Sequence, residues 1–295
     1  MDTQQARPIV VGVDGSDSAR AAARWAADEA ARRGARVRLV AAVDRTVFES
    51  GGQTLAGQGQ ARDAVVIAAR EYLDAAADEL SGTHPGLAVE DDVRGGSAAV
   101  ELAEESEHAQ LLVLGTRGRS GFSSLLAGSV AAAMAAKARC PVVAIRGDAP
   151  DGGAVVVGLD GSHDGDAALA FAVEAASARR VPLIALRAWS DVVLDAAVVA
   201  ALDQDAIDAA QRAVLETTLA GFAEKFPDTR MRAVIVHDQP APAMIDLSRE
   251  AQLVVVGSRG RGGLAGLLLG SVSQALLHHA HCPVAVVRTD PRGLD

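Results

Sequence analysis

Short apolar runs alternate with longer stretches of helical periodicity along the whole chain. The apolar runs lie near residues 9–13, 37–43, 87–93, 111–114 and 142–145 in the first half and near residues 154–159, 183–188, 232–236, 253–256 and 284–287 in the second. The helical stretches of the first half lie near residues 18–33, 62–80, 97–107 and 126–138. Strands that are apolar on both faces and separated by helices are typical of a parallel sheet covered on each side. The pattern predicts an α/β chain of two tandem, doubly wound (Rossmann-like) modules, each with a five-stranded parallel sheet flanked by helices.

The two halves carry the same short motifs in the same order. Val11-Gly-Val-Asp-Gly-Ser16 returns as Val157-Gly-Leu-Asp-Gly-Ser162. The segment that joins the halves is GDAPDGG, residues 147–153, and its composition is that of a linker. We therefore predict a first domain over residues 1–147 and a second domain over residues 154–295.

A glycine-rich segment follows the fourth apolar run of each half. Its spacing is glycine, two residues, glycine, nine residues and glycine-serine in both copies. The residues with this spacing are Gly115, Gly118, Gly128 and Ser129, and then Gly257, Gly260, Gly270 and Ser271. Glycine lets the backbone take positive φ and approach an oxyanion closely, and a helix start offers unpaired N–H groups and partial positive charge. We therefore expect each loop to bind phosphate, with the serine hydroxyl capping the helix or contacting a phosphate oxygen.

Two arginines lie inside each loop and would add charge and forked hydrogen-bond donors for a phosphate. They are Arg117 and Arg119 in the first copy and Arg259 and Arg261 in the second. The alternative is an ordinary flexible loop with solvated arginines, because short glycine motifs also match by chance. The recurrence of the whole spacing favours the phosphate site.

An aspartate ends the first apolar run of each half, at Asp14 and Asp160. A carboxylate at the end of a strand can accept hydrogen bonds from ribose hydroxyls. Asp-Gly-Ser is also an ordinary sequence for a turn followed by a helix. The residues alone leave both interpretations open.

Composition and charge narrow the classes of partner. The chain has 295 residues, of which 49% are hydrophobic, and this is enough for a core in each of two domains. Its net charge of −10 argues against nucleic acid or an anionic membrane as the main partner. No apolar run approaches the roughly 20 residues of a membrane span, and the first residues lack the pattern of a secretory signal. We expect a cytoplasmic protein that binds neither nucleic acid nor membrane.

The motifs of common nucleotide enzymes do not match this chain. A P-loop requires G-x-x-x-x-G-K-[ST], and neither Lys137 nor Lys225 follows a glycine. A dinucleotide-binding fold requires G-x-G-x-x-G after the first strand, where this chain has Gly-Val-Asp-Gly-Ser. No pair of an acid and a base recurs near the glycine loops, so we predict no catalytic residue.

Cysteine and histidine give weak signals. Cys140 and Cys282 each precede a proline and a valine-rich strand, which predicts reduced, buried thiols. His278, His279 and His281 lie beside Cys282, but paired ligands at zinc-type spacing are missing. We therefore predict no metal site formed by these side chains.

The long glycine spacing after a strand ending in VLG or VVG, joined to the earlier VGVDGS, is similar to the nucleotide-binding pattern of the universal stress protein family in its ATP-binding branch. The resemblance covers nearly the whole chain as two tandem modules. It implies that Asp14 and Asp160 lie beside the ribose and adenine, and that Gly12 and Gly158 let the base approach.

The resemblance also implies that adenine lies against the backbone near Ala42 and Val43 at the end of the second strand, where the second copy has Leu-Arg-Ala-Trp at residues 186–189. The first-domain residues expected to bind nucleotide are Gly12, Asp14, Val43, Gly115, Thr116, Arg117, Gly118, Arg119, Ser120, Gly121, Gly128, Ser129 and Val130. Those of the second domain are Gly158, Asp160, Gly257, Ser258, Arg259, Gly260, Arg261, Gly262, Gly263, Gly270, Ser271 and Val272.

The resemblance implies a regulator of stress response or growth that holds one ATP per domain, forms a homodimer and acts on a protein partner that the sequence does not name. We expect Mg²⁺ on the phosphates. One alternative is a slow ATPase or adenylyl-transferring enzyme of the same fold. Another is a scaffold whose nucleotide sites no longer bind.

Overall fold

The computed structural model of the chain describes residues 7–44, 58–116, 118, 128–147, 150, 152–189, 204–237, 239–260 and 269–289. The chain divides into two compact units, Met1–Arg146 and Gly147–Asp295. The second unit begins at the first residue of GDAPDGG, the segment with the composition of a linker.

The first unit alternates strands and helices. Its strands are β1 (Ile9–Gly12), β2 (Val37–Val43), β3 (Val89–Gly95), β4 (Leu111–Gly115) and β5 (Val142–Ile145). Its helices are α1 (Asp17–Arg33), α2 (Gln58–Thr83), α3 (Ala98–Ser106) and α4 (Ser129–Lys137). The strands lie in the order β3-β2-β1-β4-β5, and all neighbouring pairs are parallel. The strand order reverses between β1 and β4, which is where ligands bind in sheets of this kind.

The second unit repeats this arrangement. Its strands are β6 (Ala154–Leu159), β7 (Leu183–Trp189), β8 (Met231–His237), β9 (Ala251–Gly257) and β10 (Val284–Val287). Its helices are α5 (His163–Arg179), α6 (Gln204–Ala223), α7 (Pro240–Leu247) and α8 (Ser271–His279). The parallel order is β8-β7-β6-β9-β10, so the reversal lies between β6 and β9. None of the described helices is long and apolar enough to cross a membrane.

The central strands of the first unit are buried on both faces because helices cover both sides of the sheet. Val10 of β1 packs with Leu112 of β4, Leu102 of α3 and Met134 of α4 in one cluster. Neighbouring residues of a strand point to opposite faces. Helices α1 and α2 contact the strands and each other but contribute no described residue to this cluster, so they cover the other face.

The helix after the first strand begins and ends in the same way in both units. Ser16 and Ser162 are the N-caps of α1 and α5, and each hydroxyl accepts the N–H three residues further on at 3.2 Å. Both helices end at a left-handed residue, Gly34 with φ 61° and Arg180 with φ 56°. These caps fix the direction in which each helix leaves the sheet.

The α/β class and its parallel sheets are confirmed. Strands β2, β5, β6 and β10 have the bounds that their apolar runs predict. Strand β3 runs from Val89 to Gly95 instead of over residues 87–93, and α2 extends beyond the predicted 62–80 at both ends.

Candidate functional site

The site of the first unit begins where β1 ends. Oδ1 of Asp14 accepts hydrogen bonds from the backbone N–H of Ser16 at 3.0 Å and from the Ser16 hydroxyl at 2.6 Å. Gly15 between them has φ 81°, a conformation that favours glycine. The Asp14 carboxylate lies against the glycine loop, because a methyl group on Gly118 would be 2.9 Å from Oδ2. The strand-end aspartate and the glycine loop therefore meet at one place.

Lack of space, and not unusual φ, explains the glycines of this loop. A methyl group on Gly115 would lie 2.7 Å from the backbone of Ser18, and one on Gly128 would lie 3.1 Å from the carbonyl oxygen of Thr116. Positive φ was expected here, but none of the loop glycines that the structure describes has it. For the described glycines that expectation is wrong; Gly128, for example, has φ −53°.

Hydrogen bonds hold the two ends of the first loop together. The Thr116 hydroxyl donates to the carbonyl of Ile145 at 3.1 Å, which ties the loop to β5. The N–H of Gly128 donates to the carbonyl of Thr116 at 2.8 Å. The start of α4 is therefore fixed beside the end of β4.

Helix α4 begins without a capping side chain. Its N-cap is Gly128, no side chain makes a cap hydrogen bond, and its first turn contains no acidic residue. Ser129 is the first helical residue and does not cap the helix, so of its two expected roles the contact with a phosphate oxygen stays a prediction. Helix α1, in contrast, has the Ser16 hydroxyl and an acidic first turn. The start of α4 keeps the partial positive charge and N–H donors that suit an anion.

A cavity of about 380 Å³ lies between these elements. Its described walls include Gly12, Val13, Asp14, Val40, Ala42, Leu102, Gly118, Gly128, Ser129 and Val130. Of the two residues expected near adenine, Ala42 lines the cavity, and Val43 is not among its described walls. The Val43 carbonyl accepts the N–H of Gly96 at 2.8 Å. The adenine contact itself stays a prediction.

The second unit repeats the main features of this site. Oδ1 of Asp160 accepts the N–H of Ser162 at 3.0 Å, and a methyl group on Gly260 would lie 2.5 Å from Oδ2 of Asp160. The N–H of Gly270 donates to the carbonyl of Ser258 at 2.8 Å. Helix α8 has Gly270 as its N-cap, no side-chain cap hydrogen bond and no acidic residue in its first turn.

A buried carboxylate distinguishes the second site. Asp164 lies in the first turn of α5 and is 6% exposed. It accepts hydrogen bonds from the Ser258 hydroxyl (2.8 Å) and the Arg259 N–H (3.2 Å) of the loop. It also accepts them from the hydroxyl (2.6 Å) and N–H (3.1 Å) of Thr289, beyond β10. Burial raises the pKa of Asp164, but these hydrogen bonds outweigh burial and hold the pKa below its ordinary value.

The cavity of the second unit, about 340 Å³, has an aromatic wall. Its described walls include Gly158, Asp160, Leu186, Ala188, Trp189, Pro240, Met244, Gly257, Gly260, Gly270, Ser271, Val272 and Ser273. Trp189 is the last residue of β7, the position that Val43 holds in β2. Gly158 has no room for a side chain, because a methyl group there would collide with the sulfur of Met244.

Part of each predicted loop lies outside the described residues. This applies to Arg117, Arg119, Ser120, Gly121, Arg261, Gly262 and Gly263. Thr116 and Ser258 are described, but they are buried. Their hydroxyl groups anchor the loops by donating to Ile145 and Asp164.

Sequence reasoning did not identify Asp164 as a site residue. Its counterpart in the first repeat is Ser18, so the comparison between the copies pointed away from it. The available signal was an acidic residue in the first turn of the helix that follows the aspartate motif. Ser273 was missed for the same reason: its hydroxyl donates to the carbonyl of Gly257 at 2.7 Å, whereas the first copy has Ala131.

The cysteines match their expectation. Cys140 and Cys282 are buried and not disulfide-bonded, and burial raises the pKa of each thiol to about 12. The rings of His278 and His279 lie 6.1 Å apart. Within the described parts of the chain, no three His, Cys, Asp or Glu side chains form a group that could hold a metal ion.

Comparison with protein families decides the assignment of the fold and the repeat. The model of the universal stress protein family matches residues 5–146 and, separately, residues 153–288. This chain belongs to the universal stress protein family. Two consecutive matches make it a tandem universal stress protein.

Known universal stress proteins match over nearly the full length. One from Mycobacterium tuberculosis is 39% identical over 293 residues, which are 95% of this chain and 96% of that protein. One from Mycolicibacterium smegmatis is 37% identical over 290 residues, 95% of this chain and 96% of that protein. The crystal structure of a universal stress protein from Archaeoglobus fulgidus has the same fold, with a TM-score of 0.71, 20% identity and coverage of 96% of this chain and 99% of that one.

Proposed function

We propose that this universal stress protein binds one ATP in each unit and acts as a nucleotide-dependent regulator of stress response or growth. One observation carries the proposal. In both units an aspartate at the end of the first strand meets a glycine loop beside a helix that starts without a side-chain cap. That arrangement joins an acceptor for hydroxyl groups to a set of donors for an anion.

The residues present fit the chemistry of a nucleotide. The starts of α4 and α8 would donate backbone N–H groups to phosphate oxygens. Asp14 and Asp160 would accept from the ribose, and the apolar walls would enclose the base. The two cavities, about 380 and 340 Å³, lie within the range of roughly 300–1,000 Å³ that is usual for small-molecule sites.

Mg²⁺ would bind through the phosphates rather than through a protein cage. The described residues contain no cluster of acidic or imidazole ligands for it. Mg²⁺ is commonly held by substrate phosphates and water with few protein ligands. When bound, it would neutralise part of the phosphate charge beside Asp14 and Asp160.

The stoichiometry of ATP binding tests the proposal. Equilibrium dialysis of the full chain with labelled ATP and Mg²⁺ should give two ATP per chain. Gly118→Val and Gly260→Val should each remove one, because the new side chain meets Asp14 or Asp160. Gly82→Val and Gly221→Val are the matched controls, since a Cβ at either glycine meets no atom within 4 Å beyond its chain neighbours and the backbone of its own helix. Two ATP bound by the double loop variant would contradict the proposal.

The two alternative functions, a scaffold and an enzyme, can be distinguished by ATP binding and ATP turnover in the same preparation. A scaffold with inactive sites would bind no ATP in the unmodified chain. Many turnovers per minute, abolished by the double loop variant, would support an enzyme. The proposal also includes a cytoplasmic homodimer, for which sedimentation equilibrium of the purified chain should give twice the monomer mass.

A further inference from the structure

The two cavities differ at the end of the second strand of each sheet. In the second unit this end is Trp189, which lines the cavity. In the first unit it is Val43, which does not, and none of the described walls of the first cavity is aromatic. The nearest wall there is Ala42. Among the described walls of the two cavities, only those of the second unit therefore include an aromatic ring.

The Trp189 ring is held in one orientation from two sides. Its Nε1–H donates to Oδ1 of Asp208 at 2.5 Å. Its ring lies against the imidazole of His237, with centroids 4.4 Å apart and planes inclined at 51°. Since the polar edge of the indole is already hydrogen-bonded, the surface that lines the cavity is available for apolar and π contacts. A fixed ring loses little conformational entropy when a ligand binds against it.

The described walls of the cavity include apolar residues of β7 and α7 as well as the glycine loop. Leu186 and Ala188 belong to the same strand as Trp189, and Met244 belongs to α7. The glycine loop follows β9, which lies on the other side of β6 from β7. Two strand spacings, about 10 Å, separate β7 from β9. A ligand with a planar ring at one end and an anionic group at the other fits this separation.

We propose that Trp189 stacks on the base of the nucleotide and makes the second site select its ligand by a planar ring. The inference rests on the proposed function. Stacking on an aromatic side chain should strengthen base binding by about tenfold. The gain in affinity from stacking should be the same for adenosine, AMP and ATP, because the phosphates do not take part in it.

The test isolates the second site. In protein carrying Gly118→Val, titration calorimetry would measure Mg-ATP and inorganic tripolyphosphate, which has no base. Trp189→Val, which introduces the residue of the first repeat, should weaken ATP by about tenfold and leave tripolyphosphate unchanged. Trp189→Phe keeps an aromatic face and should stay within about threefold of the parent for ATP.

The outcomes separate failure of the stacking inference from failure of the proposed function. If the parent binds ATP and Trp189→Val binds it equally well, stacking is wrong while the proposed function stands. If Trp189→Val weakens ATP and tripolyphosphate alike, Trp189 only supports the fold, and the inference again fails. If the parent binds no ATP at the second site, the proposed function of that unit fails, and the inference fails with it. In Trp25→Phe protein, where Trp189 is the remaining tryptophan, ATP should also change the fluorescence.

Discussion

The glycine loops of the two units have the same spacing but different anchors. In the first unit the loop is tied to β5 by the Thr116 hydroxyl. In the second unit Asp164 ties the loop both to α5 and to Thr289 beyond the last strand. The shared motif thus determines where the N–H donors lie. The hydrogen bonds of Thr116 or Asp164 determine how firmly each loop is held.

The units also differ where the second and third strands meet the next helix. In the first unit Glu105, 7% exposed, accepts from Arg38 at 2.9 Å and also pairs with Arg94. Arg38 additionally donates to Asp92 at 2.9 Å. The repeat places Ile184, Val236 and Leu247 at the positions of Arg38, Arg94 and Glu105. The first unit therefore has an ion-pair network at positions where the second unit has three apolar residues.

Removal of the Asp164 carboxylate should have the largest effect. Asp164→Ala leaves the loop donors and Thr289 without their acceptor, and hydrogen bonds to a buried charged group contribute about 1.5–3 kcal/mol each. We expect a loss of about 3 kcal/mol in the free energy of unfolding of the second unit and about tenfold in its ATP affinity. Urea unfolding and dialysis measure both. Asp166→Ala removes an exposed carboxylate from the same helix turn and is the matched control, so it should change either quantity little; equal effects would contradict the role of Asp164 as the anchor.

Removal of the Glu105 carboxylate should come next. Glu105→Leu removes the buried carboxylate that Arg38 and Arg94 share and should destabilise the first unit by about 2 kcal/mol. The loss is less than for a fully buried pair because both arginines are partly exposed and both keep an ion pair with Asp92. The triple variant Arg38→Ile, Arg94→Val, Glu105→Leu introduces the residues of the second unit and should recover most of that loss. Urea unfolding compares the variants. A triple variant less stable than Glu105→Leu would show that the apolar residues of the second unit cannot replace the ion pairs of the first.

Acidification should weaken the two units over different pH ranges. Burial raises the pKa of Glu105, but hydrogen bonds from Arg38 and Arg94 outweigh it and hold the pKa below the ordinary 4.5. The pKa of Asp164 lies below the ordinary 3.8. A carboxyl with a lowered pKa in the folded state stabilises fully above its unfolded pKa and loses this contribution as pH falls through its folded pKa.

The contribution of Glu105 should therefore decline below about pH 4.5, and that of Asp164 below about pH 3.8. Thermal unfolding from pH 7 to pH 3 measures each contribution as the gap in melting temperature between the unmodified chain and Glu105→Gln or Asp164→Asn. Each gap should close only below its own pH. A gap that already closes between pH 7 and pH 5 would refute the assignment.

The smallest effects should come from the helix caps. Ser16→Ala and Ser162→Ala each remove a cap hydrogen bond of 3.2 Å and should lower stability by about 1 kcal/mol. The Ser162 hydroxyl also contacts the carbonyl of Arg259 at 3.4 Å, whereas the Ser16 hydroxyl donates to Asp14. Ser162→Ala should therefore loosen the second loop, which would appear as faster hydrogen exchange of the Arg259 amide. Equal exchange in Ser162→Ala and the unmodified chain would rule this out.

Much of the fold was predictable because the buried strands are continuous apolar runs. Residues 37–43 and 284–287 became strands with the expected bounds. Strand β3 was displaced by two residues because it is an edge strand with charged residues at positions 90–92. Its bounds follow from pairing with β2 and from ion pairs to Arg38, which no local pattern contains.

The candidate site was predictable where it repeats and not where the copies differ. Asp14 and Gly118 were both identified by recurrence, and the structure brings them together. Asp164 acts through Thr289, 125 positions further along the chain, and its counterpart has no carboxylate. Trp189 was noted as a departure, but its fixed orientation depends on Asp208 and His237, whose positions only the fold reveals.

The uncapped starts of α4 and α8 have a consequence for heat resistance. An anion that completes these helix ends binds the native chain and not the denatured one, so mass action raises the melting temperature as its concentration rises. At a hundred times the dissociation constant the gain is about 2.7 kcal/mol. Scanning calorimetry at increasing ATP should then show each unit melting according to the saturation of its own site, and the survival of the protein on warming would depend on nucleotide supply.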